Sequence, residues 1–283
     1  LSFRDANSRI VEEPFDEIDI ESNSELYEAT LVQPIRETPN ETILLGLSFT
    51  HQDSDTFVMG VPLPFETDID PAEVNDDDLG TTVSALRFFQ EWTRRSQREV
   101  FAVRSSFNLG ISAFGSTQSE SGPDSEFFTW QGQAQYVRRL APDTLFLLRA
   151  NTQLASESLL SLEQFGIGGA GSVRGYRQDA LIVDNGIFAS AEVRLPIARV
   201  SKWNAIVWVA PFFDYGRGGN TGGVEDPETQ NLASLGVGLR LQVDDWLNAN
   251  VDFGVPLIGI EGEGDTLQED GFLFSFTINP LEF

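Results

Sequence analysis

Apolar and polar residues along this chain alternate with a period of two, in runs of about ten residues, and helical periodicity is nearly absent. In the clearest run Leu235, Val237, Leu239, Leu241 and Val243 alternate with Gly236, Gly238, Arg240 and Gln242. Next to it, Leu247, Ala249, Val251, Phe253 and Val255 alternate with Asn248, Asn250, Asp252 and Gly254. Upstream, Ile187, Ala189, Ala191, Val193 and Leu195 oppose Ser190, Glu192 and Arg194. Extended backbone places successive side chains on opposite faces, so each run predicts a strand with one apolar and one polar face. Eleven such segments are legible: roughly 25–34, 41–52, 81–94, 98–113, 127–139, 143–155, 185–197, 204–216, 230–243, 245–256 and 271–281. Residues 1–5 read as the remnant of a twelfth. No helical segment separates them, so successive strands are expected to pair antiparallel.

The connections alternate long and short. Long ones fall near 6–24, 53–80, 114–126, 156–184, 217–229 and 257–270; short ones near 35–40, 95–97, 140–142, 198–203 and 244. A meander with long loops on one rim and tight turns on the other is the pattern of a transmembrane β-barrel. Charge sorts the same way. About 30 of the 44 acidic residues lie in the long connections, Asp76, Asp77 and Asp78 among them. The short turns carry or adjoin Arg36, Arg94, Arg95, Arg98, Arg138, Arg139, Arg199 and Lys202. A soluble β-sandwich also alternates apolar-in and polar-out. Two features favour the barrel. Strands of this length exceed the usual five or six or so residues but suit a tilted bilayer span. The polar rows carry Gln, Asn, Ser, Gly and scattered Arg and Glu, which suit a wet lumen, while the apolar rows carry Phe, Trp and Tyr. A bilayer admits only helices or closed barrels, because every backbone polar group needs a partner. Eleven whole strands is an odd number, whereas bacterial single-chain barrels have even counts. The chain opens LSFRDANSR, shows no signal peptide and has Met59 as its one methionine, so it reads as a piece of a longer protein lacking N-terminal strands.

Composition removes several function classes. With 18 basic and 44 acidic residues the formal net charge is −26, a surface that repels nucleic acid. The absence of Cys excludes disulfides and thiolate metal sites. His51, the single His, has no partner in sequence and reads as a surface residue. Paired carboxylates remain open to acid–base chemistry, but spacing singles out none of them. The acidic long loops read as a solvated exterior, with no calcium-loop spacing. Gly166, Gly168 and Gly171 match the dinucleotide fingerprint G-x-G-x-x-G. That fingerprint needs a helix after it, and SVRGYRQDALIVDNG has no amphipathic face. No cofactor is therefore expected.

The same stretch carries a different signature. SVRGYRQD, residues 172–179, resembles the VRGY/F segment in the sixth extracellular loop of the BamA-like outer-membrane superfamily. FGIGGAGSVRGYRQDAL is more similar still to the two-partner secretion transporters (TpsB), the haemolysin secretion/activation family of ShlB, FhaC and HecB. Phe212-Phe213-Asp214-Tyr215-Gly216 fits that superfamily's F-x-D-x-G. The resemblance implies a sixteen-stranded barrel, in which 143–155 would be the eleventh strand, 185–197 the twelfth, 204–216 the thirteenth and 271–281 the sixteenth. Residues 1–283 would then be the C-terminal barrel portion, without the first four strands or the POTRA domains that receive the client. Residues 156–184 would be an in-folded lid loop. Terminal Phe283 suits the C-terminal signal read by the barrel-assembly machinery, although Phe272, Phe274, Phe276 and Ile278 lie on the opposite parity, so a slip near Pro280 is required.

Parity assigns roles to the motif residues. Phe212, Asp214 and Gly216 share one face, and Asp214 must point inward because a carboxylate facing lipid is costly. A long loop folded into the lumen can bring Arg174 to it as a guanidinium–carboxylate latch; the resemblance implies the same contact. Gly175 would permit a tight turn, and Tyr176 would stack near Phe212 or Gly216, with Val173 completing the motif. Glu192 and Arg194 share the inward parity and are candidates either for the same network or for plain lumen lining. The function so implied is a non-enzymatic pore in the outer membrane of a Gram-negative-type envelope, which secretes a large unfolded β-helical exoprotein and is gated by the latched loop. Its partners would be the exoprotein, outer-membrane lipid and the assembly machinery. The rivals are a BamA-like insertase and a passive diffusion porin.

Overall fold

A computed structural model of the chain describes residues 1–9, 20–58, 61–62, 80–119, 122–222, 227, 230–260, 267–268 and 270–279. Twelve strands follow one another in a single antiparallel meander. They are β1 (Ser2–Arg9), β2 (Ile20–Thr38), β3 (Glu41–Val58), β5 (Thr81–Arg95), β6 (Glu99–Ile111), β7 (Phe128–Ala141) and β8 (Thr144–Ala155), then β11 (Asn185–Val200), β12 (Ala205–Gly219), β13 (Asn231–Val243), β14 (Leu247–Pro256) and β15 (Phe272–Ile278). A two-residue β4 (Val61–Pro62) pairs with β3, and a separate hairpin of β9 (Phe165–Ile167) and β10 (Leu181–Val183) lies within the connection from β8 to β11. The remnant expected at 1–5 lies within a strand that runs on to Arg9: Ser2 to Arg9 pair residue by residue with Glu28 to Glu21. β2 and β3 also run beyond the predicted 25–34 and 41–52, as a hairpin laddered from Ile20–Val58 to Thr38–Glu41.

Short turns close one rim. Asp143, Asn204 and Asp244 sit in them at positive φ, where short polar side chains tolerate the left-handed region. Register slips fall near this rim, at Pro34/Arg36, Arg139/Ala141 and Pro196/Ala198. Two involve a proline, which has no N–H to give to a ladder. Basic side chains here are partly neutralised, as in the Arg36–Glu41 pair at 2.8 Å and the Arg199–Asp143 pair. An aromatic row, Trp92–Phe101–Tyr136, crosses β5, β6 and β7 with centroid spacings of 5.6 and 6.4 Å. Toward the long-loop rim Phe107 stacks on Phe128, and Phe253 packs on Phe272. Two such girdles flanking an apolar band mark the interfaces of a membrane barrel. Asp76, Asp77 and Asp78, and the slip expected near Pro280, lie outside the described residues.

The burial pattern is inverted relative to a water-soluble sandwich. On β13, Leu235, Val237 and Leu239 are about half exposed, while Ser234 and Arg240 on the opposite face are buried. The same holds on β12 and β14, where Phe213 and Val251 are exposed but Asp214 and Asp252 are buried. No second sheet covers the apolar rows among the described residues. No helix among them is long and apolar enough to cross a membrane, so any crossing is made by strands. His51 is half-buried rather than free, with Nδ1 2.9 Å from Ser84 Oγ. Because Val237 is central in the exposed row, Val237→Arg is expected to cost about 2–4 kcal/mol in lipid. Gln133→Arg, on the polar face, should be near neutral; equilibrium unfolding in bilayers compares the two.

Candidate functional site

Residues 156–184 leave the top of β8 and return to β11, and they lie against the polar face of the sheet. Their root packs Leu159 and Leu160 with Val83, Ala85 and Phe127 in one buried apolar cluster. Arg87 on β5 clamps Glu163 through two nitrogens. Gln153 donates from its side chain to the carbonyls of Glu163 and Asp184, tying both ends of the loop to β8. The β9–β10 hairpin then carries a tip that packs Ile167, Val173, Tyr176, Leu181 and Val183 against Phe188 and Leu232 of the wall. After Gly171 the chain makes turns and bends up to β10. The helix that a dinucleotide fold needs there is replaced by the hairpin.

Arg174 is the deepest charge at the tip. It is 2 % exposed, and Asp214 is fully buried. The pair is a fork: Nε donates to Asp214 Oδ2 at 2.8 Å and one terminal nitrogen donates to Oδ1 at 2.9 Å. The Arg174 backbone N–H donates to the same carboxylate at 3.1 Å. The guanidinium also donates to Glu192 at 2.6 Å, to Asp252 at 3.3 Å and to Ser190 Oγ at 3.2 Å. Its second face lies 3.5 Å from the centroid of Phe212. The Phe212 ring itself spreads over Gly236, its cross-strand partner, where a Cβ would sit 2.1 Å from the ring. Burial alone would lower the Arg174 pKa, but the hydrogen bonds and charge of Asp214, then Glu192, raise it above the ordinary value. The guanidinium thus stays charged, surrounded by the carboxylates of Asp214, Glu192 and Asp252.

A family model described as haemolysin secretion/activation protein ShlB/FhaC/HecB matches residues 6–241. The chain belongs to this family. Among solved structures, CdiB from Escherichia coli superposes with a TM-score of 0.74 at 18% identity, covering 97% of this chain and 48% of that one. CdiB from Acinetobacter baumannii gives 0.71 at 19% identity, covering 98% and 46%. BamA from Haemophilus ducreyi lacking POTRA domains 1-3 gives 0.58 at 14%, covering 98% and 61%. These likenesses establish the fold, a meander of the BamA-like β-barrel kind. The chain spans about half the length of the CdiB structures it matches. No curated protein sequence matches it.

In this ShlB/FhaC/HecB chain the sequence-derived residues Arg174, Asp214, Glu192 and Arg194 all converge. Arg194 reaches Glu192 at 2.8 Å from its edge. Gly175 takes φ +94° and lies backbone to backbone on Gly254 of β14. The placement of Tyr176 differs from expectation. The space over Gly216 is filled by Ile167 and Val173, and Phe212 is covered by Arg174. Tyr176 instead sends its hydroxyl between two backbones, 2.8 Å from the carbonyls of Ala233 and Ile258. It also accepts from their amides at 3.2 and 3.3 Å. The tip is thereby tied to β13 and to the start of the connection after β14. Sequence reasoning also missed Arg240 and Asp252, which bond each other at 2.6 Å, with Arg240 also 2.9 Å from Glu192. Both stood on the polar rows of the alternation. The missing signal was that Gly238 opposite Asp252 has no side chain, leaving room for the pair: a Cβ there would meet both within 2.5 Å.

Proposed function

We propose that this chain forms the wall and lid of an outer-membrane transporter that passes a large, unfolded exoprotein of β-helical type to the cell surface. Membership of the secretion family supports an exoprotein partner. The exposed apolar rows support contact with outer-membrane lipid, and the polar inner face supports a wet path for an extended polypeptide. The observation that carries the gating part is the seating of a lid cation, Arg174, on a buried wall carboxylate, Asp214, by a two-pronged contact. A loop held by ions rather than covalently is one that client binding can displace. Nothing in this reading calls for a catalytic residue or a cofactor. Insertion by the barrel-assembly machinery through the last strand belongs to the same reading.

The test is export of a cognate exoprotein by cells producing the intact protein, read beside single-channel conductance. Low resting conductance that rises on lid release, together with exoprotein-dependent export, is the expected result. High conductance indifferent to Arg174→Ala would mark a passive pore. Insertion of other barrels without any exoprotein would mark an assembly role.

A further inference from the structure

On the latched wall three carboxylates, of Glu192, Asp214 and Asp252, meet three guanidinium groups, of Arg174, Arg194 and Arg240. Two of these cations belong to the wall, Arg194 on β11 and Arg240 on β13. The third arrives with the lid. Withdrawal of the lid leaves three carboxylates with two cations, and it bares Asp214, which among the described residues has Arg174 as its one salt-bridge partner. Stranding a shielded charge is expensive, and on charge alone the latch would hardly open.

A fourth cation stands beside this cluster. Arg149 on β8 is the cross-strand partner of Ser190 on β11, and Ser190 is the partner of Asp214 on β12. The three residues form one row across three strands. Neighbouring strands are about 4.8 Å apart, so an arginine side chain can reach from the first to the third, and the residue between them is a small serine. The Arg149 side chain makes no hydrogen bond or ion pair among the described residues. It lines the lumen cavity that Arg174 and Asp252 also line, within Coulombic reach of Asp214 and Glu192 but also of Arg174. The seated Arg174 takes both Asp214 oxygens and donates to Ser190 Oγ, so it occupies the place on this row that the wall arginine would need.

We propose that Arg149 is a replacement counter-ion. When the lid carries Arg174 away, the Arg149 guanidinium crosses Ser190 and pairs with Asp214 and Glu192. Latch release then exchanges one cation for another, and the wall returns to three charges against three. The inference rests on the lid being displaceable, as the proposed function requires. It makes Arg149 a positioning residue that sets how easily the gate opens.

Two measurements test it. In a structure of the intact Arg174→Ala protein, an Arg149 nitrogen should stand within about 3.5 Å of an Asp214 or Glu192 oxygen. Arg149 still directed into the cavity would overturn the proposal. In the otherwise native protein, a Val173→Cys reporter in the lid should react with an impermeant thiol reagent at least about tenfold more slowly once Arg149→Gln is added, a barrier change of about 1.4 kcal/mol. Arg149→Lys, which keeps the cation, should restore the native rate. An unchanged rate in Arg149→Gln refutes the counter-ion. Because neither readout depends on export, loss of the counter-ion role is distinguishable from loss of the transporter reading.

Discussion

Arg174→Ala and Asp214→Ala are each expected to abolish export by the intact transporter, and the double variant should be little worse than either alone. The reason is the shielding of the pair. Both side chains are buried, the contact is a fork, and the far face of the guanidinium is covered by Phe212. Breaking a shielded pair costs up to about 3–5 kcal/mol where the remaining charge finds no other partner, whereas a solvent-exposed pair would be worth under about 1 kcal/mol. Once one partner is gone, the second has no lid-to-wall contact of this pair left to lose. The two losses therefore overlap instead of adding, and a double-mutant cycle on export and on unfolding reads that overlap. Strict additivity would mean that the two residues act separately.

Gly254→Val should release the lid without changing a single charge. A Cβ at Gly254 would lie 2.7 Å from the Gly175 nitrogen and 2.8 Å from its Cα. Those are backbone atoms, which cannot turn aside as the end of a long side chain can. Gly175 in turn cannot shift freely, because it holds φ +94°. Overpacking of this kind costs about 1–3 kcal/mol, which shifts the seated–released equilibrium by about 5- to 150-fold. Single-channel conductance should rise as it does in Arg174→Ala. Gly171→Ala is the matched control. It lies in the same loop and in the G-x-G-x-x-G match, yet a Cβ there meets nothing within 4 Å, so conductance should stay native. If Gly254→Val conducts like the native protein, the lid tip does not rest on β14.

Most of the strand pattern was legible because a bilayer-facing row and a wet row impose strict alternation. The segment read at 204–216 spans 205–219 in the structure, and 245–256 spans 247–256. β2 and β3 were read short because their upper halves, such as Ser22–Glu25 against Asp53–Thr56, are polar on both faces and leave no alternation to see. The in-folded tip was harder. β9 and β10 are three residues each, too brief to show a period, and their hairpin decides where Tyr176 points. That geometry sends its hydroxyl to Ala233 and Ile258 instead of toward Gly216. Arg174 and Asp214 were accessible because two motifs named them. Arg240 and Asp252 carried the correct parity but no motif, and only the curvature that gathers β11 to β14 around one guanidinium singles them out among the polar rows.

The chain contains no Cys, so a single introduced thiol reports without background. Val173 is fully buried in the lid tip, next to Arg174, and a cysteine there should be shielded from an impermeant thiol reagent in the native protein. In the Asp214→Asn background the same cysteine should react at least about tenfold faster, the change expected when an equilibrium shifts by about 1.4 kcal/mol or more. Equal, slow reaction in both backgrounds would mean that the carboxylate of Asp214 does not hold the lid. Fast reaction in both would mean that the lid tip does not lie inside the sheet at all.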